Sequence, residues 1–329
     1  MGRGRRVDYS YQIGKYDVTI GQYAAFLNAA DPNGTNPNGI YKGPMSTDLN
    51  NAGISFTAGA ASGAKYAVMQ PAGYVPASGV TAANRPITYV SWFDAARFAN
   101  WMTNGQGSGS TETGAYDLTG GDTWVAPAKT PGAAFFIPTE NEWYKAAYYS
   151  PNYSSPYDSP NLGGPASPGV PGYYTYATQS DTAPGNTIGG DANQANYYLG
   201  VFSVTGVNPY SDSQNYLTDV GAFTNSASYY GTFDQSGNAY QWNDLDGASG
   251  STRGYRGGRY GNYDAGPLSS SQRGEVDSFR YGNYYTTFRL ASPLDASSVP
   301  EIDPNSLGSA LALVLGSLGL LERRRLKAA

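Results

Sequence analysis

No cysteine and no histidine occur among the 329 residues. Without cysteine there is no disulfide to staple loops, no thiolate nucleophile and no cysteine metal site. Without histidine, the usual general base near neutral pH, the Ser-His-Asp arrangement and nearly every first-row transition-metal site are excluded too. Charge is scarce, at 14% Asp, Glu, Lys and Arg. The 25 acidic and 20 basic residues leave a net charge of -5, so there is no basic footprint for nucleic acid. Gly (43), Pro (21) and Tyr (30) crowd the chain instead, a composition of loop-rich extracellular domains.

The C-terminal residues fall into an ordered series. Val299-Pro300-Glu301-Ile302-Asp303-Pro304 is followed by apolar Leu307 to Leu321, then Glu322 and Arg323-Arg324-Arg325. The apolar part is shorter than the roughly 20 residues of a comfortable span, and Gly308, Gly316 and Gly319 weaken it. An ordinary membrane anchor and a buried helix are the alternatives, and against the buried helix stand the arginines, which match a cytoplasmic stop. The series resembles the PEP-CTERM signal, which implies export, cleavage by an exosortase and delivery to a bacterial cell surface or extracellular matrix. The expected organisation is a globular domain over 1–295 and a sorting tail over 296–329. Its short transmembrane segment, 307–321, would hold the protein at the membrane before processing. Met1 to Tyr16 includes Arg3, Arg5 and Arg6 but no apolar h-region, so no signal peptide is visible.

Helix starts are written as capping boxes, in which a Ser or Thr and the third residue after it satisfy each other's backbone N–H. Thr19-Ile20-Gly21-Gln22 predicts a helix with Tyr23, Phe26, Leu27 and Ala30 inward, ended by Asp31-Pro32-Asn33-Gly34. Ser91-Trp92-Phe93-Asp94 predicts a second, with Ala95, Phe98, Ala99 and Met102 inward and Gly105 as its C-terminal cap. Thr139-Glu140-Asn141-Glu142 predicts a third, leading into Trp143, Ala146 and Ala147. Elsewhere short β-prone runs such as Arg85 to Val90 and Phe288-Arg289-Leu290 are broken by Gly, Asn and Pro. These pieces are expected to pack as helices around a twisted antiparallel sheet that buries Trp92, Trp101, Trp143 and Trp242. Arg259-Tyr260-Gly261-Asn262-Tyr263 is echoed by Arg280-Tyr281-Gly282-Asn283-Tyr284, too short to signal a repeat fold.

Read in order, Tyr11 to Thr19, Arg85 to Trp101, Phe136 to Trp143, Tyr230 to Trp242, Arg256 to Tyr260 and Thr287 to Ala291 resemble the formylglycine-generating, or sulfatase-modifying factor, family. The most specific are Phe136-Ile137-Pro138-Thr139-Glu140-Asn141-Glu142-Trp143 against "RLPTEAEW", and Tyr230 to Trp242 against "GLYDMSGNVWEW". The resemblance implies an α+β fold: an elaborated C-type-lectin-like domain, loop-rich with little regular secondary structure.

Catalytic members of that family bind copper through two cysteines after "RGGSW". Asn262 and Pro267 stand at those positions here, and neither supplies a thiolate. Copper is therefore not expected, nor is the iron that related oxidases hold with three histidines, and no catalytic residue is assigned. Among other acids, Asp212, Asp234, Asp244 and Asp246 are candidates for carboxylate-pair chemistry, but nothing singles out a pair.

The resemblance further implies two structural calcium sites. The first would use side chains of Asn196 and Asp212 with carbonyls of Tyr197 and Gln214; the second, side chains of Asp234 and Gln241 with carbonyls of Gly237 and Ala239. Gln241 replaces the family's usual Glu. Trp242-Asn243-Asp244 spells a sugar-lectin tripeptide, but no "EPN" or "QPD" loop accompanies it.

The function expected is a non-catalytic, surface-exposed module recognising a glycan or a protein, with Tyr-rich loops as its face. A sulfatase-modifying enzyme and a retroelement-diversified ligand receptor on the same fold are the alternatives.

Overall fold

The computed structural model describes residues 7–73, 81–153 and 170–294. The sorting-tail reading of 296–329, including 307–321, lies outside the described residues. Among the described residues no helix is long and apolar enough to cross a membrane.

In chain order the elements are β1 (Tyr11–Ile13), α1 (Ile20–Ala30), α2 (Pro44–Thr47), β2 (Ile54–Phe56), β3 (Tyr66–Val68), α3 (Trp92–Thr103) and α4 (Glu140–Tyr148). There follow β4 (Tyr149–Tyr153), β5 (Val170–Tyr173), β6 (Gly189–Ala192), β7 (Phe223–Asn225), β8 (Tyr240–Asn243), β9 (Arg253–Arg256), β10 (Gly274–Val276), β11 (Thr286–Thr287) and β12 (Ala291–Pro293). All three capping boxes form, at Thr19, Ser91 and Thr139. The end of α3 is a Schellman motif. Gly105 takes φ 78°, its N–H bonds the Met102 carbonyl at 3.2 Å, and the Gln106 N–H bonds that of Trp101 at 2.8 Å.

The largest sheet has the order β10-β9-β8-β11. The expectation of a purely antiparallel sheet needs correction, because β11 runs parallel to β8, pairing Thr286 with Tyr240 and Thr287 with Gln241. Arg85 to Val90 is not a strand either. It makes an isolated bridge between Pro86 and Thr19, and Tyr89 turns the chain with φ 62°. Phe288 to Leu290 links β11 to β12 without joining the named strands.

Helix α3 is buried from Trp92 through Met102, as a helix at the centre of a core must be. Phe98 packs at 5.3 Å on Phe26 and 5.4 Å on Phe288, joining α1, α3 and the chain's last third in one aromatic core. Trp92, Trp101, Trp143 and Trp242 are buried, and truncating one to Ala would cost about 3–5 kcal/mol. Ala30 is only partly buried.

Buried Asn side chains supply cross-links between loops. Asn100 donates to the Thr111 and Tyr116 carbonyls at 2.7 and 2.9 Å and accepts the Tyr116 N–H at 2.8 Å. Asn50 holds the Ser211 and Gln214 carbonyls at 2.9 and 2.8 Å. Loop backbone that no sheet pairs is satisfied in this way.

Candidate functional site

The two positions where the resemblance places cysteines are taken up by turn chemistry. Asn262 Oδ1 accepts the Arg259 N–H at 2.7 Å while its own N–H reaches the Arg259 carbonyl at 3.0 Å, closing a tight turn. Pro267 lies in the first turn of a short 3-10 helix, Gly266–Leu268, where its missing N–H costs nothing.

That turn presents a run of aromatic rings. Tyr263 is 79% exposed and meets Tyr198 edge-on at 5.1 Å. Tyr198 packs on Phe202 at 4.8 Å, and Phe202 on Tyr216 at 4.4 Å. Tyr216 is stacked between exposed Tyr210, at 5.5 Å, and buried Tyr260, at 5.6 Å. Hydrogen bonds fix the rings, from Ser211 N–H to the Tyr216 hydroxyl at 2.8 Å, from Tyr210 to Asn50 Oδ1, and from Asn51 Nδ2 to the Tyr260 hydroxyl at 3.3 Å. Beside them the Arg259 guanidinium lies 5.3 Å from the ring of Tyr284 and 5.5 Å from that of Tyr285. Buried Phe202, Tyr216 and Tyr260 thus back a surface made of exposed Tyr263 and Tyr210 with half-buried Tyr198 and Arg259.

The residues of the first calcium set are tied into loop hydrogen bonds. Asn238 is oriented by Thr218, donating to its carbonyl at 3.2 Å and accepting its N–H at 3.1 Å. Its Oδ1 also accepts from Nδ2 of buried Asn196, at 3.0 Å, and the same nitrogen donates to the Tyr216 carbonyl at 2.9 Å. The Tyr197 carbonyl accepts from Asn186 Nδ2 at 3.2 Å and Ser203 Oγ at 3.4 Å. The Gln214 carbonyl accepts from Asn50, and Asp212 is exposed.

In the second set Asp234 and Gln241 do meet, but around a guanidinium. Gln241 Nε2 donates to the Asp234 carbonyl at 2.6 Å, while its Oε1 receives Trp143 Nε1 at 2.7 Å and Arg289 Nε at 2.8 Å. Both lone pairs of that oxygen are used, so Gln241 as arranged does not fit a calcium ion. Gly237 sits against Asn196, its N–H bonding the Gly257 carbonyl at 2.6 Å, and Ala239 is packed among Phe202, Tyr216 and Tyr260. Among the described residues no three or more Asp or Glu side chains cluster where one metal ion could meet them all.

Sequence reasoning gave Arg289 and Asp17 no role, although both lie in segments it singled out. Arg289 also donates to the carbonyls of Gly14 at 2.9 Å and Phe233 at 2.7 Å, and to Asp17 Oδ1 at 2.9 Å. Burial pushes the Asp17 carboxyl up to about 8, against the pull of Arg289. Burial likewise pushes Asp234 up to about 6, held back by the Gly221 N–H and Arg289. One buried cation facing two carboxyls is best balanced when only one carboxyl is ionised.

The other two acids singled out by the sequence, Asp244 and Asp246, lie in different settings. Asp244 is buried, pairs with Arg253 at 2.9 Å and accepts the Tyr116 hydroxyl at 3.0 Å; burial raises it to about 7 against the attraction of Arg253. Asp246 is exposed and accepts the Ala248 N–H at 3.0 Å. Trp242, Asn243 and Asp244 are all buried, which removes the lectin-like tripeptide from the surface.

Several solved structures resemble the chain, three of them as follows. CarF is 18% identical, covering 87% of this chain and 87% of its own, with a TM-score of 0.44. Treponema denticola variable protein 1 is 19% identical, covering 86% and 84%, also at 0.44. PvdO from Pseudomonas aeruginosa is 16% identical, covering 86% and 80%, at 0.36. No curated protein sequence matches. The profile of the sulfatase-modifying factor enzyme 1-like domain, FGE-sulfatase, matches residues 4–293, nearly the whole described chain. Mixed helices and small sheets, long ordered loops and that match together make the chain a member of the FGE-sulfatase domain family.

Proposed function

We propose that the chain is a non-catalytic recognition module, built on a C-type-lectin-like variant of this fold and displayed on a cell surface. Its ligand is a glycan or a protein, bound by the tyrosine face around Tyr263, Tyr198 and Tyr210. One observation carries the reading: where the resemblance places copper-binding cysteines, Asn262 closes a turn that holds Tyr263 out into solvent. Tyr rings offer large contact area at low entropic cost, and the surrounding hydroxyls and Asn amides supply adaptable hydrogen bonds. Surface display rests on the tail, which an exosortase would remove.

Screening the purified protein on a glycan array and against surface-protein extracts, beside a Tyr263→Ala/Tyr210→Ala variant, tests this. Binding lost in the variant at unchanged melting temperature is the expected result. Formylglycine made from a sulfatase peptide with copper and oxygen would replace this reading with an enzymatic one.

A further inference from the structure

Trp124 is the exception among the tryptophans. It is 57% exposed, whereas the other four are buried. Its exposure is imposed by the frame around it. On one side the Asp122 carboxylate is held by buried Arg97 at 2.6 Å. On the other, Ala126 is bridged to Gly250 by reciprocal backbone hydrogen bonds of 2.9 and 3.1 Å. Between these anchors the indole has no route into the core.

A second segment brings a cation and a further ring to it. Phe279 is buried and its carbonyl accepts the Trp92 N–H at 3.0 Å, which fixes the start of Arg280-Tyr281. The Arg280 guanidinium lies 4.5 Å from the Trp124 ring, and Tyr281, 61% exposed, meets Trp124 at 6.5 Å with the rings 71° apart. Arg280 Nε has no hydrogen-bond partner, and the residue makes no ion pair among the described residues. Its charge faces the Trp124 ring, while Asp122, two residues before that tryptophan, is already paired with Arg97.

We propose that Trp124, Tyr281 and Arg280 form a binding subsite for an acidic glycan of the uronic-acid class. A flat indole face suits the C–H face of a pyranose ring, and the edge-on tyrosine makes a corner for it. The terminal nitrogens of Arg280 are free to take a carboxylate end-on, the anion that a guanidinium fork recognises best. A neutral sugar would leave this cation unused. An acidic peptide would satisfy it but has no ring face to lay on Trp124. Among the described residues no ring contact joins the subsite to the Tyr263 surface, and it stands or falls independently of the function proposed for that face.

The test uses the full-length chain with a galacturonic acid hexamer, the neutral cellohexaose and a hexaglutamate peptide, each followed by tryptophan fluorescence and calorimetry. The hexauronate should bind with a change in Trp124 emission and weaken as salt is raised. Arg280→Gln should weaken it by about tenfold, the value of one charge-assisted contact. Trp124→Ala should abolish it, and neither substitution should shift the melting temperature. Equal binding of cellohexaose, equal binding of hexaglutamate, or no binding of the hexauronate at millimolar concentration would each overturn the proposal. Loss of hexauronate binding in Tyr263→Ala but not in Trp124→Ala would also overturn it, moving acidic-sugar recognition to the tyrosine face.

Discussion

Gln241 and Arg289 share one hydrogen bond across 48 residues of chain, Nε to Oε1 at 2.8 Å, and the same oxygen receives the Trp143 indole N–H from 98 residues away. The side chain that departs from the family's usual Glu is therefore a junction between α4, β8 and the closing segment. Gln241→Leu keeps most of the volume but leaves both donors and the Asp234 carbonyl without this partner. Each buried polar group so orphaned costs about 1–3 kcal/mol. A clear fall in the urea midpoint is expected, and an unchanged midpoint would show that the junction is dispensable.

The Asp17–Arg289–Asp234 group makes stability depend on pH in a defined direction. Both carboxyls are raised in the folded state, to about 8 for Asp17 and about 6 for Asp234. Folded protein thus keeps protons that the unfolded chain, with carboxyls near 4, has released. The stability they contribute is complete below about pH 4 and is lost as pH rises, ending near pH 8. Asp17 Oδ2 has no hydrogen-bond partner, a lesser burden for a protonated carboxyl than for an anion. Asp17→Asn should therefore flatten the decline between pH 6 and 8 while staying near wild-type stability at pH 7. Arg289→Met, which removes the cation, should cost about 3–5 kcal/mol. Equal pH slopes for wild type and Asp17→Asn in denaturant titrations would contradict the assignment.

The two Arg-Tyr-Gly-Asn-Tyr segments should respond differently to the same change. At Gly282 a Cβ would lie 2.1 Å from the Tyr89 carbonyl oxygen, a backbone atom at a residue already in left-handed conformation. At Gly261 the nearest atom, at 2.4 Å, is the far end of the Arg259 side chain, which can swing away. Gly282→Ala should lose about 1–3 kcal/mol by overpacking, and Gly261→Ala about 0.5 kcal/mol or less. Thermal melts of the two variants decide it; equal losses would mean that the Tyr89 backbone yields.

Glu142 does more than cap α4. Its Oε2 accepts the Thr139 N–H and hydroxyl, each at 2.7 Å, its Oε1 accepts the Tyr9 hydroxyl at 2.8 Å, and its carbonyl accepts the Tyr11 hydroxyl at 2.6 Å. Thr139→Ala should cost about 1 kcal/mol, as a lost cap does, and Glu142→Ala distinctly more. A smaller loss for Glu142→Ala, measured by chemical denaturation, would reduce it to an ordinary cap residue.

The contrast between these residues shows what was legible beforehand. Capping boxes at Thr19, Ser91 and Thr139 are local chemistry within four residues, and each was readable. So was the burial of four tryptophans, which follows from their helical or motif surroundings. The short helix α2, the positive φ at Tyr89 and the parallel β8–β11 pairing depend on neighbours far along the chain. How the residues of the calcium sets are hydrogen-bonded was not legible, for the same reason. Where the Asn196 amide nitrogen points is fixed by Asn238 and Tyr216, and whether the Gln241 oxygen is free is fixed by Trp143 and Arg289. Trp124 carried no signal, since its exposure is set by the Asp122 and Ala126 anchors.

Strands β1 and β12 bring the chain's entry and exit side by side, with Tyr11 opposite Pro293 and Ile13 opposite Ala291. Beyond them Gly14 bonds the Leu290 carbonyl at 2.8 Å and Val18 that of Phe288 at 2.9 Å. Tension applied between the two ends loads these bonds one after another, as a zipper is opened, rather than all together in shear. The first pairs yield at low force, and the pull then meets Arg289, whose guanidinium is bonded to Gly14, Asp17, Phe233 and Gln241. A pull between one end and the face around Tyr263 loads the fold differently, because it need not separate β1 from β12. Built this way, the fold is soft to being drawn out by its ends, with a mechanical stop a few residues inside.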